Sequence, residues 1–348
     1  MPVLSEKENF MRVINKEMPE YIPTYNLMWG FNMPPFLMGM MFPEGGVGKN
    51  MFGVESVQDS GGLLPPMSKT SDFIMDDITK WRDIIKIPDF DFTDSMWADA
   101  GKESQDFRDP TQPFGGGVSM GFFQPLVSFM GFTEGLSAYY EEPDEVKALY
   151  EYLSDWSVDM TKKFLYYFKP EFGFMADDIA HERNPFLSLP MFQDLIAPYW
   201  KRFYDIFVEA GLPCGHHNCG HFELYLEDLV NMGVSFWDPV QPSNDEMAIK
   251  AKYGRNLALC GGPESRFWND ETTEEQVRAE VTDYIMKMSA GGGFAMFAFM
   301  IDDDAPPPPP PDPDAEPAPM MFNFSEAELA RMGWISDVFK SLRYEVYK

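Results

Sequence analysis

The second half of the chain alternates between short apolar runs and amphipathic stretches. Phe172–Ile179, reading Phe-Gly-Phe-Met-Ala-Asp-Asp-Ile, is predicted as a strand. Beyond it, Phe192, Leu195, Ile196, Tyr199, Phe203, Ile206 and Phe207 are spaced to fall on one face of a helix. Ser188 is a candidate cap upstream of that helix, and Gly211 ends it. A strand at about 212–218, a helix at about 221–232 and the strand Val234–Asp238 come next. Ser243 is expected to cap a helix running to Gly254, and Asn256–Cys260 reads as a strand. Thr272 with Glu275 predicts a capping box for a helix over 273–289. Gly293–Met300 is a further strand, and Ser325 with Glu328 caps a last helix to about 346.

Five strand–helix units in succession imply a parallel sheet with helical crossovers. Their lengths suit a doubly wound sheet or a (β/α)₈ barrel. Upstream, Tyr21–Met28 fits an early barrel strand, and Glu142–Phe168 a long helix with Pro143 in its first turn. Length favours the α/β, (β/α)8 TIM barrel: a single domain over 1–348 with an N-terminal extension. Two stretches interrupt the pattern. Residues 29–70 are rich in Met, Gly and Pro, either as a soft apolar lid over a large ligand or as ordinary loop packing. Residues 302–319 carry six consecutive prolines at 306–311 and are expected to form an extended surface loop. The segment Gly45–Asn50 hints at a phosphate loop but fails the pattern, with Pro43 where a glycine is needed and Asn50 where Ser or Thr belongs.

An apolar content of 45% marks a folded chain. Its net charge of −29 argues against nucleic acid and anionic membranes as partners. The first residues lack the basic and apolar regions of a signal peptide, and no run is long and apolar enough to span a bilayer. Three cysteines, two of them clustered, do not make a disulfide framework, so a reducing cytoplasm is the expected setting.

Candidate chemistry concentrates in Cys214-Gly215-His216-His217-Asn218-Cys219-Gly220-His221, which holds three of the four histidines and two of the three cysteines. Imidazole and thiolate are the side chains that hold zinc best. His217 and Cys219 lie two apart, on the same side of an extended segment. A third ligand would complete an open tetrahedral site; Cys260 is the first candidate, with His216, Cys214 and His221 behind it. A small buried cysteine and a hydrogen-bonded core histidine is the alternative. Asp177 and Asp178 are candidate acid–base groups, or one of them caps the following loop; neighbouring strand residues point opposite ways, so one is expected to face the mouth, and Asp178 is favoured. His181 is a possible helper or a surface histidine. Asp238 either orients a ligand histidine or caps a turn. These strand ends, with Cys260 before Gly261-Gly262, would direct functional groups to one mouth.

At these residues the chain resembles the uroporphyrinogen decarboxylase superfamily. Glu8 through Ile14 and Glu17 through Pro23, Asp177-Asp178, Phe186-Leu187-Ser188, His217-Asn218-Cys219-Gly220, Gly233-Val234 and Cys260 through Ser265 follow in the family's order. The resemblance implies a (β/α)₈ barrel and one of two chemistries. The metal-independent decarboxylase holds a tetrapyrrole with arginines after its first strand; here no arginine stands between Arg12 and Arg82. The other branch comprises zinc-dependent methyltransferases that work with a corrinoid protein, and its hallmark His-x-Cys matches His217 and Cys219. Thiol-methylating members carry a third zinc ligand, a cysteine, after the last strand, where this chain reads Phe294 through Met300 without one. The resemblance therefore implies zinc, a corrinoid-carrying partner, and transfer from a small O- or N-methyl donor, or to a thiol acceptor.

Overall fold

A computed structural model describes residues 4–41, 48–57, 67–68, 73–119, 121–264, 268–269, 271–297 and 325–348. The proline run at 302–319 and much of the supposed phosphate loop lie outside them. The strands are β1 (Thr24–Tyr25), β2 (Gly48–Lys49), β3 (Glu55–Val57), β4 (Met67–Ser68), β5 (Gly115–Gly116), β6 (Phe172–Ala176), β7 (Cys214–His217), β8 (Val234–Val240), β9 (Ala258–Gly261) and β10 (Phe294–Phe297). The chain divides into two compact units. One comprises the residues to Leu27 and from Pro239 onward; the other comprises Met28–Gln58 and Pro65–Asp238.

In the second unit β5, β6, β7 and β8 pair in parallel in that order. Asn32 bridges to Gly116 in the same parallel sense. The packing of these strands follows from large residues set beside small ones. Gly115 is in register with Phe172, and Gly215 lies between Phe174 and Phe236. A Cβ on Gly115 or Gly215 would stand 2.1 Å from the ring of Phe172 or Phe236. The glycines thus make room for three buried rings, with Phe236 5.5 Å from Phe172 and 6.0 Å from Phe174 between centroids. The same unit contains the small antiparallel sheet β2–β3–β4 and the helix Pro35–Met41, within the Met-rich stretch.

The helix Pro143–Phe168 starts with Pro143 in its first turn, as its sequence predicts. The next amphipathic stretch is two helices, Leu189–Leu195 and Ala197–Glu209, rather than one. Pro198 explains the break: inside a helix it costs about 3 kcal/mol, whereas in a first turn its missing N–H is no loss. All seven predicted apolar residues are buried across the break. Each contributes about 1.5–3 kcal/mol, so the face survives although the helix does not.

In the first unit β1, β10 and β9 are parallel, in that order. The helices Glu274–Ser289 and Glu326–Leu342 open with capping boxes. The second is the predicted Ser325/Glu328, and the first is Thr273/Gln276, one residue beyond Thr272/Glu275. Asp245, not Ser243, caps Glu246–Tyr253; its carboxylate accepts the Ala248 N–H. Arg343 fastens the chain's ends, donating to both carboxylate oxygens of Glu6 at 2.7 Å. The predicted strands are found with altered limits: Tyr21–Met28 reduces to β1, the paired part of Phe172–Ile179 stops at Ala176, Val234–Asp238 runs on to Val240, and Asn256–Cys260 becomes Ala258–Gly261. The predicted helix at 221–232 begins as a 3₁₀ turn, Glu223–Tyr225, before Leu226–Asn231. The alternation therefore yields an α/β fold with parallel strands. Among the described residues no helix is long and apolar enough to cross a membrane.

Candidate metal centre

Register places the site. On parallel neighbours, Ala176 is level with His217 and His217 with Asp238. The residues that follow β6 and β7 therefore meet at one level, beside the end of β8. Asn218 locks the β7 exit: its N–H donates to Asp238 O at 2.9 Å, its side-chain amide donates to Asp177 O, and its carbonyl accepts the Trp237 indole N–H at 3.1 Å. Gly220 then turns the chain at φ +86°, where a Cβ would meet the carbonyls of Ala180 and His181 at 2.9 Å.

Asp178, His217 and Cys219 offer one carboxylate oxygen, one imidazole nitrogen and one sulfur, all within 4.8 Å of one another. Cys219 Sγ lies 3.7 Å from His217 Nε2, and Asp178 Oδ1 lies 3.9 Å from the same nitrogen. Asp178 is held in place by the Cys219 N–H at 2.7 Å and by Gln124 Nε2 at 3.3 Å. His217 Nδ1 is 3.0 Å from Asp238 Oδ2, and Asp238 is fully buried. With the Nδ1 proton shared with Asp238, loss of the Nε2 proton on metal binding would direct that lone pair at the sulfur and carboxylate. Burial alone would depress the His217 pKa; the charges of Asp238 and Cys219 overcome it and hold it well above the ordinary value. Burial pushes the Cys219 thiol up, against the pull of His217.

The donor set fits zinc. Tetrahedral zinc with bonds of about 2.0–2.3 Å requires ligand atoms about 3.4–3.6 Å apart. The two separations from Nε2 are a few tenths longer, and all three donor atoms lie within 4.8 Å, a spread that side-chain rotations about the site would close. Three protein ligands leave a fourth position for a substrate atom.

The remaining candidates occupy other places. Asp177 is fully buried. Its carboxylate accepts backbone N–H groups from Phe122 at 2.7 Å and from Phe123 and Gln124 at 3.1 Å, and the Trp200 indole N–H at 3.1 Å. It serves the otherwise unpaired donors that open the helix Phe123–Met130. Burial raises its pKa to about 6 despite these four bonds, which favour the ionised form. His216 is buried beside Trp200, with Nδ1 2.7 Å from the Tyr204 hydroxyl, and burial pushes its pKa well below the ordinary value. Cys214 is buried at the start of β7. His221 Nε2 is 3.9 Å from Glu223, and His181 Nδ1 accepts the Arg183 N–H at 3.2 Å. Cys260 is buried on β9 in the other unit; the group of three converging donors includes no cysteine but Cys219.

Gln124 and the capping use of Asp177 carry no local sequence signal. Only a helix start placed between neighbouring strand ends creates either contact.

The sequence model for the uroporphyrinogen decarboxylase (URO-D) family matches residues 111–299, more than half of the 348-residue chain. A protein of parallel strands with these groups at their ends thus belongs to the URO-D family. A solved structure of a methyltransferase from Methanosarcina mazei has the same fold, with a TM-score of 0.56 at 13% identity. The alignment covers 97% of this chain and 99% of that one. No curated protein matches the sequence.

Proposed function

We propose that the protein is a zinc-dependent methyltransferase built on a (β/α)₈ barrel. It moves a methyl group between a small O- or N-methyl donor, or a thiol acceptor, and a corrinoid carried by a partner protein. The observation that carries this reading is the convergence of Asp178, His217 and Cys219 within 4.8 Å, with His217 oriented by Asp238. The URO-D family and a methyltransferase of the same fold support it. The absence of arginine between Arg12 and Arg82 removes the expected hold on a polycarboxylate tetrapyrrole.

His217 Nε2, Cys219 Sγ and Asp178 would hold the zinc, which when bound supplies a Lewis acid for an ether or amine donor, or for a thiol. The chain's own residues do the rest. Asp238 fixes the His217 tautomer. Gln124 and the Cys219 N–H fix Asp178, whose carboxylate would position, or exchange a proton with, a bound donor or acceptor. Phe31, with its ring 6.2 Å from His217, borders the site with apolar surface that excludes water.

Metal content by mass spectrometry tests the proposal. About one zinc per chain in the parent, mostly lost in Cys219→Ala, is the expected result. A parent without metal after zinc is offered under reducing conditions would refute it, and would direct assays to metal-independent decarboxylation.

A further inference from the structure

The helix Glu246–Tyr253, the β9 exit and the helix Glu274–Ser289 border an open cavity of about 630 Å³ in the first unit. Four carboxylates line it, Asp245, Glu246, Glu264 and Glu280, together with Trp268 and Tyr284. No lysine or arginine is among its described lining residues.

Three of the four acids are engaged. Asp245 accepts the Ala248 N–H at 3.0 Å, Glu264 accepts Gln241 Nε2 at 3.3 Å, and Glu280 accepts the Trp268 indole N–H at 2.6 Å. Glu246 differs. Its residue is 7% exposed, and neither carboxylate oxygen has a hydrogen-bond partner. The buried Tyr284 hydroxyl interacts with it but closes no hydrogen bond of ordinary geometry. Lys250, one helical turn on, gives its ammonium to Gly292 O instead. A buried carboxylate without a partner is among the costliest groups a fold can keep. Burial pushes its pKa up to about 7, with the Tyr284 hydroxyl pulling it down and the charge of Glu264 adding a smaller rise.

We propose that this cavity binds a small organic ammonium cation, with Glu246 as its counter-ion. An inorganic ion suits the site less well. A metal needs three or more donors on one coordination sphere. Among the described residues, the acids of this cavity do not converge in that way, whereas Asp178, His217 and Cys219 do. An alkylammonium needs one carboxylate, further negative charge nearby and aromatic or apolar walls. Glu246, Glu264, Trp268, Tyr284, Met247 and Pro263 supply them. The indole is fixed by its bond to Glu280, so the wall is formed before a ligand arrives. The proposal is independent of the zinc reading.

Calorimetric titration of the full chain with tetramethylammonium and butylammonium chlorides tests it, with 1-butanol as the uncharged comparison at matched ionic strength. At least one ammonium should saturate the parent while 1-butanol does not. Glu246→Gln should weaken that binding roughly tenfold or more, by loss of a buried charge partner. Trp268→Leu, which leaves the carboxylate in place, should weaken it as well, so a folding defect in one variant leaves the other to decide. Saturation by neither ammonium would overturn the proposal. So would equal binding of 1-butanol, unchanged binding in both variants, or displacement of the ammonium by stoichiometric magnesium.

Discussion

Asp238 shows how much one buried contact decides. Without it, the His217 proton could rest on either nitrogen, and only one tautomer leaves Nε2 free for a metal. Asp238→Asn keeps the shape but removes the charge. Zinc affinity, measured by competition with a chromogenic chelator, should fall about 10–100-fold; an unchanged affinity would show that Asp238 only fills space. Glu246 makes a prediction of opposite character. Its carboxyl is raised from 4.5 to about 7, so the folded chain holds that proton more tightly than the unfolded chain does. The resulting stability is complete below about pH 4.5 and is lost as pH rises through about 7. Glutamine does not titrate. Relative to Glu246→Gln, the parent should therefore lose stability from about pH 5 to about pH 8, by on the order of 2–3 kcal/mol. Urea midpoints of both proteins at the two ends of that range would show it, and parallel midpoints would contradict it.

At the scale of elements, Asp177 joins a strand exit to a helix start. Its carboxylate takes three backbone N–H groups of the segment Phe122–Gln124. Gly121 allows the close approach: at φ +69°, a Cβ there would stand 2.5 Å from Asp177 Oδ1. Asp177→Asn would turn an amide NH₂ toward those donors or leave some of them unmet. We expect a loss of about 1–3 kcal/mol in urea unfolding, with the cap as its cause; a neutral variant would mean that the remaining amide oxygen and water suffice. Elements were legible in the sequence where one face is apolar over several turns, as in the seven buried positions from Phe192 to Phe207. Caps were legible where Ser or Thr stands three residues before Glu or Gln, as at Ser325. Thr272 and Thr273 satisfy that rule in adjacent registers, Thr272 with Glu275 and Thr273 with Gln276. Local pattern could not choose between them, and the helix begins at the second. Ser243 lost its capping place to Asp245, an equally good capping residue two positions later.

For the molecule as a whole, a metal that binds only the folded chain adds stability according to its concentration over its dissociation constant. At a hundredfold excess this is about 2.7 kcal/mol, which corresponds to several degrees in a chain of this size. Removal of zinc with dipicolinate should lower the parent's melting temperature by about 5 °C or more and leave Cys219→Ala unmoved. Equal shifts in both would place the metal elsewhere.

The sequence by itself determined the alternation of strand and helix, the burial of each apolar face, and the gathering of histidine and cysteine behind one strand. Those properties depend on residues a few positions apart, where periodicity and side-chain chemistry act directly. Tertiary structure alone decided which acid stands beside His217. The register of three parallel strands set Asp178 and Asp238 against it, from 39 residues before and 21 after. It also sent Asp177 to a helix start and left Glu246 buried without a hydrogen-bond partner. Such contacts are fixed by strand register and by what the core excludes from water, and neither leaves a mark on neighbouring residues of the chain.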